Sequence, residues 1–344
     1  MFRGLTVPVA LALVSSLSSY AADPRIPISG PVVISQSGNY VVTRDFAAPL
    51  GIDAIRFADN VAVDIELNGH TISGPILVRS LRNNTPWCVS VSLRNGRLSN
   101  SRIQADQTFL GRTCNAFNWD QSISLERITL EGGSIDAGDT DLTITSSSLI
   151  NTTLSSYRDY DWAPLKVTNS RLTNSSIRIG GGVYVEIYGN DFEHGGIYVN
   201  SSLYASSGLI AGNSIGFITV RDSFELSATH LQILRNQIEG AFDLSGIANS
   251  LISGNEIGGC TARDSAILFG GQRWGSSWNR IEDNVFVGDC AYGIAFGELT
   301  WGNTYSGNSF RTFYPDWTLD PERVLDEGTM VPPNRRGPME VAPE

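Results

Sequence analysis

The chain has 344 residues, 41% of them hydrophobic and 17% charged, so it can bury a sizeable core and is not a disordered polymer. Its formal charge is −11, with 24 basic against 35 acidic residues, which argues against a nucleic-acid partner because phosphates demand a basic surface. The same balance weighs against a strongly anionic ligand unless a local basic patch overrides the mean.

In chain order, residues 1–21 carry one Arg, an apolar run and then small residues, the pattern of a secretory signal peptide cleaved after Ala21. The run is too short to span a membrane, and no later segment approaches eighteen apolar residues. A secreted or periplasmic location is therefore expected, and four cysteines, an even number, fit an oxidising compartment. Residues 22–50 read as an N-terminal cap, in which Gly30–Phe46 is expected to form a hairpin over the first repeat.

Residues 51–313 hold a repeat: alternating apolar residues, a small or amide residue, one variable residue, then an aliphatic or Phe. It appears as "LNGHTI", "LRNGRL", "TNSRLT", "YGNDFE", "AGNSIG", "LRNQIE", "SGNEIG", "EDNVFV" and "SGNSFR". A recurrence about every 20–30 residues, with short strands in each, means stacked β-coils, because one coil cannot bury its apolar face alone. Asn recurs at the turn because it tolerates a left-handed bend and can bond to Asn in the next coil. Helical alternatives fail, since no long window has a 3.6-residue period and glycine is plentiful.

The stretch "VAVDIELNGHTISGP" followed by Asn-x-Ile/Phe coils resembles the right-handed parallel β-helix superfamily over about residues 30–313. The resemblance implies an all-β solenoid of about ten to twelve coils. Its members include pectate-lyase-like enzymes, polysaccharide epimerases and periplasmic β-helix proteins that help mature nitrous-oxide reductase, so it specifies fold more than function. The sequence has neither the "NTD" plus "RIK" set of polygalacturonases nor the "DPHD" stretch of mannuronan epimerases. Cys260 and Cys290 fall at like positions in adjacent coils, ~4.8 Å apart by strand spacing, and a disulfide is expected there and at Cys88–Cys114, with metal ligation the rival. Residues 314–344 lose the period and are expected to lie over the last coil and trail off as a Pro-rich end.

Function must come from an outward face. The strand before each turn residue points aliphatics inward (Val89 and Val91, Leu142 and Ile144) and shows mostly bland Ser and Thr outside. The strand after the Gly-rich bend differs. With pairs such as Ile103 and Ala105 or Ile197 and Val199 inward, alternation gives one outward column of Arg56, Leu77, Gln104, Asp136, Ser155, Arg178, Tyr198, Thr219, Asp243, Leu268 and Ala295. A neighbouring column carries Arg79, Asp106, Tyr157, Asn200 and Arg221. The patch from Asp106 to Asp243 spans about six coils, roughly 30 Å at ~4.8 Å per coil, enough for several sugars of an extended chain. Loops add Trp119 and Trp162, whose faces suit the apolar faces of sugars, and Trp274 and Trp278 further on.

His194, Gly196, Tyr198 and Asn200 share one parity, with Gly196 expected to leave room above the sheet and Arg178 and Arg221 flanking. A Tyr or His near arginines is a usable base, and arginine can neutralise a uronate and acidify its adjacent C–H. The leading expectation is therefore an exported lyase or C5-epimerase on an acidic polysaccharide, using Tyr198, His194, Arg178, Arg221 and Tyr157, with Arg79, Gln104, Asp106, Asp136, Asn200, Asp243, Trp119 and Trp162 binding substrate. A non-catalytic glycan- or partner-binding solenoid is the alternative. A third reading makes Asp106 and Asp136 a glycosidase pair, or with Asp139 a Ca²⁺ site; otherwise no cofactor is required. His70 and His230 are expected to be structural, and the chain to act as a monomer.

Overall fold

The computed structural model describes residues 25–58, 60–78, 89–105, 121–138, 140–157, 163–201, 206–222, 228–240, 242–260, 265–270, 276–288, 290–311, 324–326 and 335–336. Every described element is a β-strand, and every strand pairing is parallel, between one coil and the next. One turn of the winding shows the plan: Val183–Tyr188, Asp191–Glu193 and Gly196–Ser201 follow one another around the coil. Each lies in register on its counterpart in the coil before, Ala163–Thr168, Arg171–Thr173 and Ser176–Ile179. The three stacks are called here faces A, B and C, in that order around the coil. Val89–Ala105 and Ser122–Asp136 run through all three faces without a break.

The interior is built from stacked aliphatics. On face C, Ile103, Ile135, Leu154, Ile177, Ile197, Ile218, Phe242, Ile267 and Ile294 form one inward column of fully buried side chains. Each contributes about 1.5–3 kcal/mol of burial, and since alternation has period two, this column fixes which residues face water.

The corner from face A to face B takes two residues with separate tasks. The first adopts a left-handed backbone, as at Asn169, Gly189, Gly212, Arg235, Gly254, Asp283 and Gly307. The second is buried and builds a ladder up the inside of the corner: Ser147, Ser170, Asn190, Asn213, Asn236, Asn255, Asn284 and Asn308. Each backbone N–H from Ser147 to Asn284 in this run donates to the side-chain oxygen one coil on, and each Asn amide also donates to a main-chain carbonyl, as Asn213 Nδ2 does to Ile187 O at 2.9 Å. The recurring Asn is thus kept for hydrogen bonding across coils, while the left-handed bend falls on its predecessor. Later coils add a fourth short stack, Ala228–Thr229, Ile247–Ala248, Ser276–Ser277 and Thr300–Trp301, followed by a second ladder of Ser250, Asn279 and Asn303.

The N-terminal segment departs from expectation. Ile26–Ile28 pairs in parallel with Gly38–Val42, which pairs in parallel with Val61–Glu66, and Val32–Ile34 pairs in parallel with Ile55–Phe57. Residues 26–47 are therefore wound as coils rather than folded into a hairpin. The same alternation of apolar and polar residues serves both arrangements, and parallel stacking extends the buried interior to Ile34, which lies in register on Phe57. Beyond the repeat, Val324–Asp326 and Arg335–Arg336 add parallel strands to Tyr292–Phe296 and Thr304–Ser306. Cys260 and Cys290 form a disulfide across adjacent coils, with Cα atoms 5.5 Å apart. The expected Cys88–Cys114 pair and the signal peptide lie outside the described residues. Among the described residues no helix is long and apolar enough to cross a membrane.

Candidate functional site

Face C carries the expected outward column in unbroken register. Arg56 pairs with Leu77, then Gln104, Asp136, Ser155, Arg178, Tyr198, Thr219, Asp243, Leu268 and Ala295 follow, each opposite the next. Leu77, next to Arg56 at one end, and Ala295 at the other are buried despite facing outward, and the open stretch centres on Arg178 and Tyr198. Asn200 and Arg221, both exposed, stand opposite each other in the next column. Arg79, Asp106, Asp139, Trp119, Trp162 and Trp274 lie outside the described residues.

Within the open stretch the contacts are specific. The Arg178 guanidinium lies 5.8 Å from the centroid of the Tyr198 ring, within cation–π reach, and Tyr198 keeps 39% of its surface exposed. On the next coil Phe217 meets Tyr198 edge to face, with centroids 4.9 Å apart and planes at 64°. Tyr157, also 39% exposed, lies against Gly180, where a Cβ would meet its ring at 1.9 Å. Arg221 reaches Asp243 at 3.6 Å, and Asp243 Oδ1 also accepts from the Ser245 hydroxyl at 2.6 Å. Asp243 is therefore committed within the sheet, with 18% of its side chain exposed, while Arg221 at 72% remains turned to water. Among the described residues, no group of three His, Cys, Asp or Glu side chains comes together as a metal site.

Two details of the expected site change. His194 does not stand on the face C strand. It occupies the left-handed corner between faces B and C with φ 57°, one coil on from Asn174 at φ 49°. A left-handed residue interrupts the alternation, so parity counted back from Tyr198 does not reach it. Gly196 leaves no open room either: a Cβ there would sit 2.5 Å from the Phe217 ring, which takes that space. Phe217 is the residue that sequence reasoning missed, although its signal was present. It has the outward parity of Thr219 and Arg221, and a large apolar group at such a position requires a partner.

The remaining histidines fit structural roles. His70 Nδ1 lies 3.0 Å from Asp45 Oδ1, and that carboxylate also accepts from the Thr71 backbone N–H at 3.0 Å. These bonds hold the Asp45 carboxyl below its ordinary range, the backbone bond contributing most. His230 is a left-handed corner residue whose N–H donates to Ala248 O. Trp278 packs its indole on Gly302, where a Cβ would lie 2.9 Å away. Face A is less bland than expected, since it carries Lys166 and Glu186 at 2.8 Å and the Arg94–Asp64 pair among its Ser and Thr.

No protein-family model matches the sequence, and no curated protein matches it. Among solved structures, the Dettilon tailspike protein is similar at 14% identity and a TM-score of 0.37, covering 88% of this chain, which spans 63% of the tailspike's length. The A-module of a mannuronan C-5 epimerase from Azotobacter vinelandii is similar at 12% identity and a TM-score of 0.29, covering 90% of this chain and 92% of that one. The catalytic unit of a thermostable α-1,3-glucanase from Streptomyces thermodiastaticus is similar at 9% identity and a TM-score of 0.24, covering 88% of this chain and 64% of that one. Likenesses this distant carry no function across.

Proposed function

We propose that the protein is an exported one that binds an acidic polysaccharide along face C, and that it acts on a bound uronate by β-elimination or C5-epimerisation. One observation carries the reading. The exposed Arg178 guanidinium pairs with no carboxylate among the described residues and is held against an exposed Tyr ring, whereas Arg171, Arg221 and Arg280 already have acidic partners. An unneutralised guanidinium suits a sugar carboxylate, which it can engage through two parallel hydrogen bonds, and the tyrosine faces suit the apolar side of the ring. Spacing of ~4.8 Å between coils lets successive sugars meet successive side chains. The disulfide supports an oxidising compartment.

In the chemical step, Arg178 would withdraw charge from the uronate carboxylate and so acidify the C–H beside it. Tyr198, acting as base, would take that proton. In β-elimination the electron pair left at C5 forms the C4=C5 bond as the C4–O bond to the next sugar breaks, the departing oxygen taking up a proton. In C5-epimerisation a proton from water returns to the opposite face of C5. Tyr157, Gln104, Asn200 and Arg221 would hold neighbouring sugars, and no cofactor is needed. A second reading, a non-catalytic glycan-binding solenoid, is favoured by Phe217, whose ring fills the space beside Tyr198 that a buried reaction centre would use. A glycosidase built on Asp136 needs Asp106 as its partner.

Incubation with a panel of polyuronates separates these readings. Ultraviolet absorbance reports the unsaturated product, NMR reports epimer content, and a reducing-end assay reports hydrolysis. The proposal expects binding with one of the first two signals, lost in Tyr198→Phe. Binding without any product supports the non-catalytic solenoid, and failure to bind any polyuronate overturns the proposal.

A further inference from the structure

We infer that Phe217 is the positioning residue for Tyr198 and thereby sets which ligands face C accepts; for the ligand, this rests on the acidic-glycan reading above. Ile218 and Val220 are fully buried, so Phe217 projects outward with Thr219 and Arg221. A phenyl ring on a water-facing strand is costly without cover, and Gly196, directly opposite in register, provides the place for it. Any larger residue at 196 would collide with the ring, whose nearest atom lies 2.5 Å from the position of a Cβ. The ring then meets Tyr198 edge-on at 4.9 Å, and Tyr198 lies 5.8 Å from the Arg178 guanidinium on its other side. Arg178, Tyr198 and Phe217 thus come from three successive coils and form one continuous stack.

This stack has two consequences for recognition. Tyr198 has neighbours on both flanks, so its phenol is presented in a fixed place rather than sweeping over the sheet. The notch that Gly196 would otherwise open is filled, leaving a shallow ridge with a cation at one end. Such a ridge suits a linear acidic sugar chain laid across it, one carboxylate on Arg178, and disfavours a compact ligand that needs a cavity. An edge-to-face aromatic pair of this kind is worth about three- to tenfold in an equilibrium constant.

The test uses the full chain with Phe217→Ala, Phe217→Leu and Phe217→Tyr. Three quantities are read: the ring resonance of Tyr198 in ¹³C-tyrosine-labelled protein, identified by its loss in Tyr198→Phe; affinity for an oligogalacturonate probe; and thermal melting. Phe217→Ala and Phe217→Leu are expected to move the Tyr198 resonance and weaken the probe by about three- to tenfold, with Phe217→Tyr restoring both. An unmoved resonance overturns the positioning role. A moved resonance with unchanged affinity overturns the selectivity role, as does a change in melting alone. If the wild type does not bind the probe, the acidic-glycan reading fails and the ligand part of this inference with it, while the resonance still decides whether Phe217 positions Tyr198. Should the alanine variant not fold, the Leu and Tyr variants carry the same comparison.

Discussion

The backbone N–H and the side-chain amide of Asn236 converge on a single oxygen of Asn255 one coil on, at 2.9 and 3.0 Å. Asn255 in turn donates its backbone N–H to Asn284 Oδ1 at 3.0 Å and its amide to Ile233 O at 2.9 Å. One buried side chain therefore satisfies two donors and a carbonyl of the coil before it and bonds to the Asn284 side chain of the coil after it, in a place that water does not reach.

Removing it should be expensive. Asn255→Ala strands two buried donors of Asn236, each worth roughly 1–3 kcal/mol when left unmade, so a loss of about 3 kcal/mol is expected in urea unfolding. Asn255→Ser should cost less, because Ser170 Oγ already accepts the backbone N–H of Ser147 in the same ladder at 3.1 Å. Equal losses for the two variants would contradict the ladder's role.

Gly196→Ala should destabilise the protein by about 1–3 kcal/mol through overpacking against Phe217, whose ring and carbonyl oxygen both lie 2.5 Å from the added carbon. Combined with Phe217→Ala, part of the loss should return, since the ring is then gone. A strictly additive pair in denaturation would show that the two residues do not touch.

Glu193 gives a prediction in pH. Hydrogen bonds from Arg171 at 2.8 Å and Thr173 at 3.2 Å hold its carboxyl below the ordinary 4.5. A carboxyl depressed on folding stabilises the protein above its unfolded value, and that contribution is lost as pH falls through the folded one. The melting temperature of the wild type should therefore exceed that of Glu193→Gln at neutral pH, with the gap closing in acid and shrinking in high salt. A gap that persists in acid would point to a cause other than this ion pair.

Arg178→Ala should weaken a polyuronate by about tenfold at low salt, with the difference narrowing as salt rises. Arg280→Ala, which removes an arginine already paired with Glu282, should leave binding unchanged. Calorimetry at two ionic strengths reads both variants, and equal effects would argue for bulk charge rather than a site.

The fold and the outward column on face C were legible because the interior is so regular. Two strong aliphatics in each coil, such as Ile177 with Ile179 and Ile197 with Val199, mark the inside, and strict alternation then places Arg178 and Tyr198 in register. Alternation fails at corners, which is why His194 was misplaced: its left-handed backbone ends one strand before the next begins. The pattern also does not distinguish a hairpin from a coil, since both alternate, and so the winding of residues 26–47 was hidden. Phe217 was passed over because inward residues were chosen by apolarity. An outward phenyl becomes intelligible only once Gly196 is known to lie opposite it.

A crystal structure of the protein soaked with an oligouronate tests the central claim most directly. The account predicts sugar density along face C, with a carboxylate on Arg178 and a ring against Tyr198 or Tyr157. Ordered sugar on face A or face B, with face C bare at saturating ligand, would contradict it.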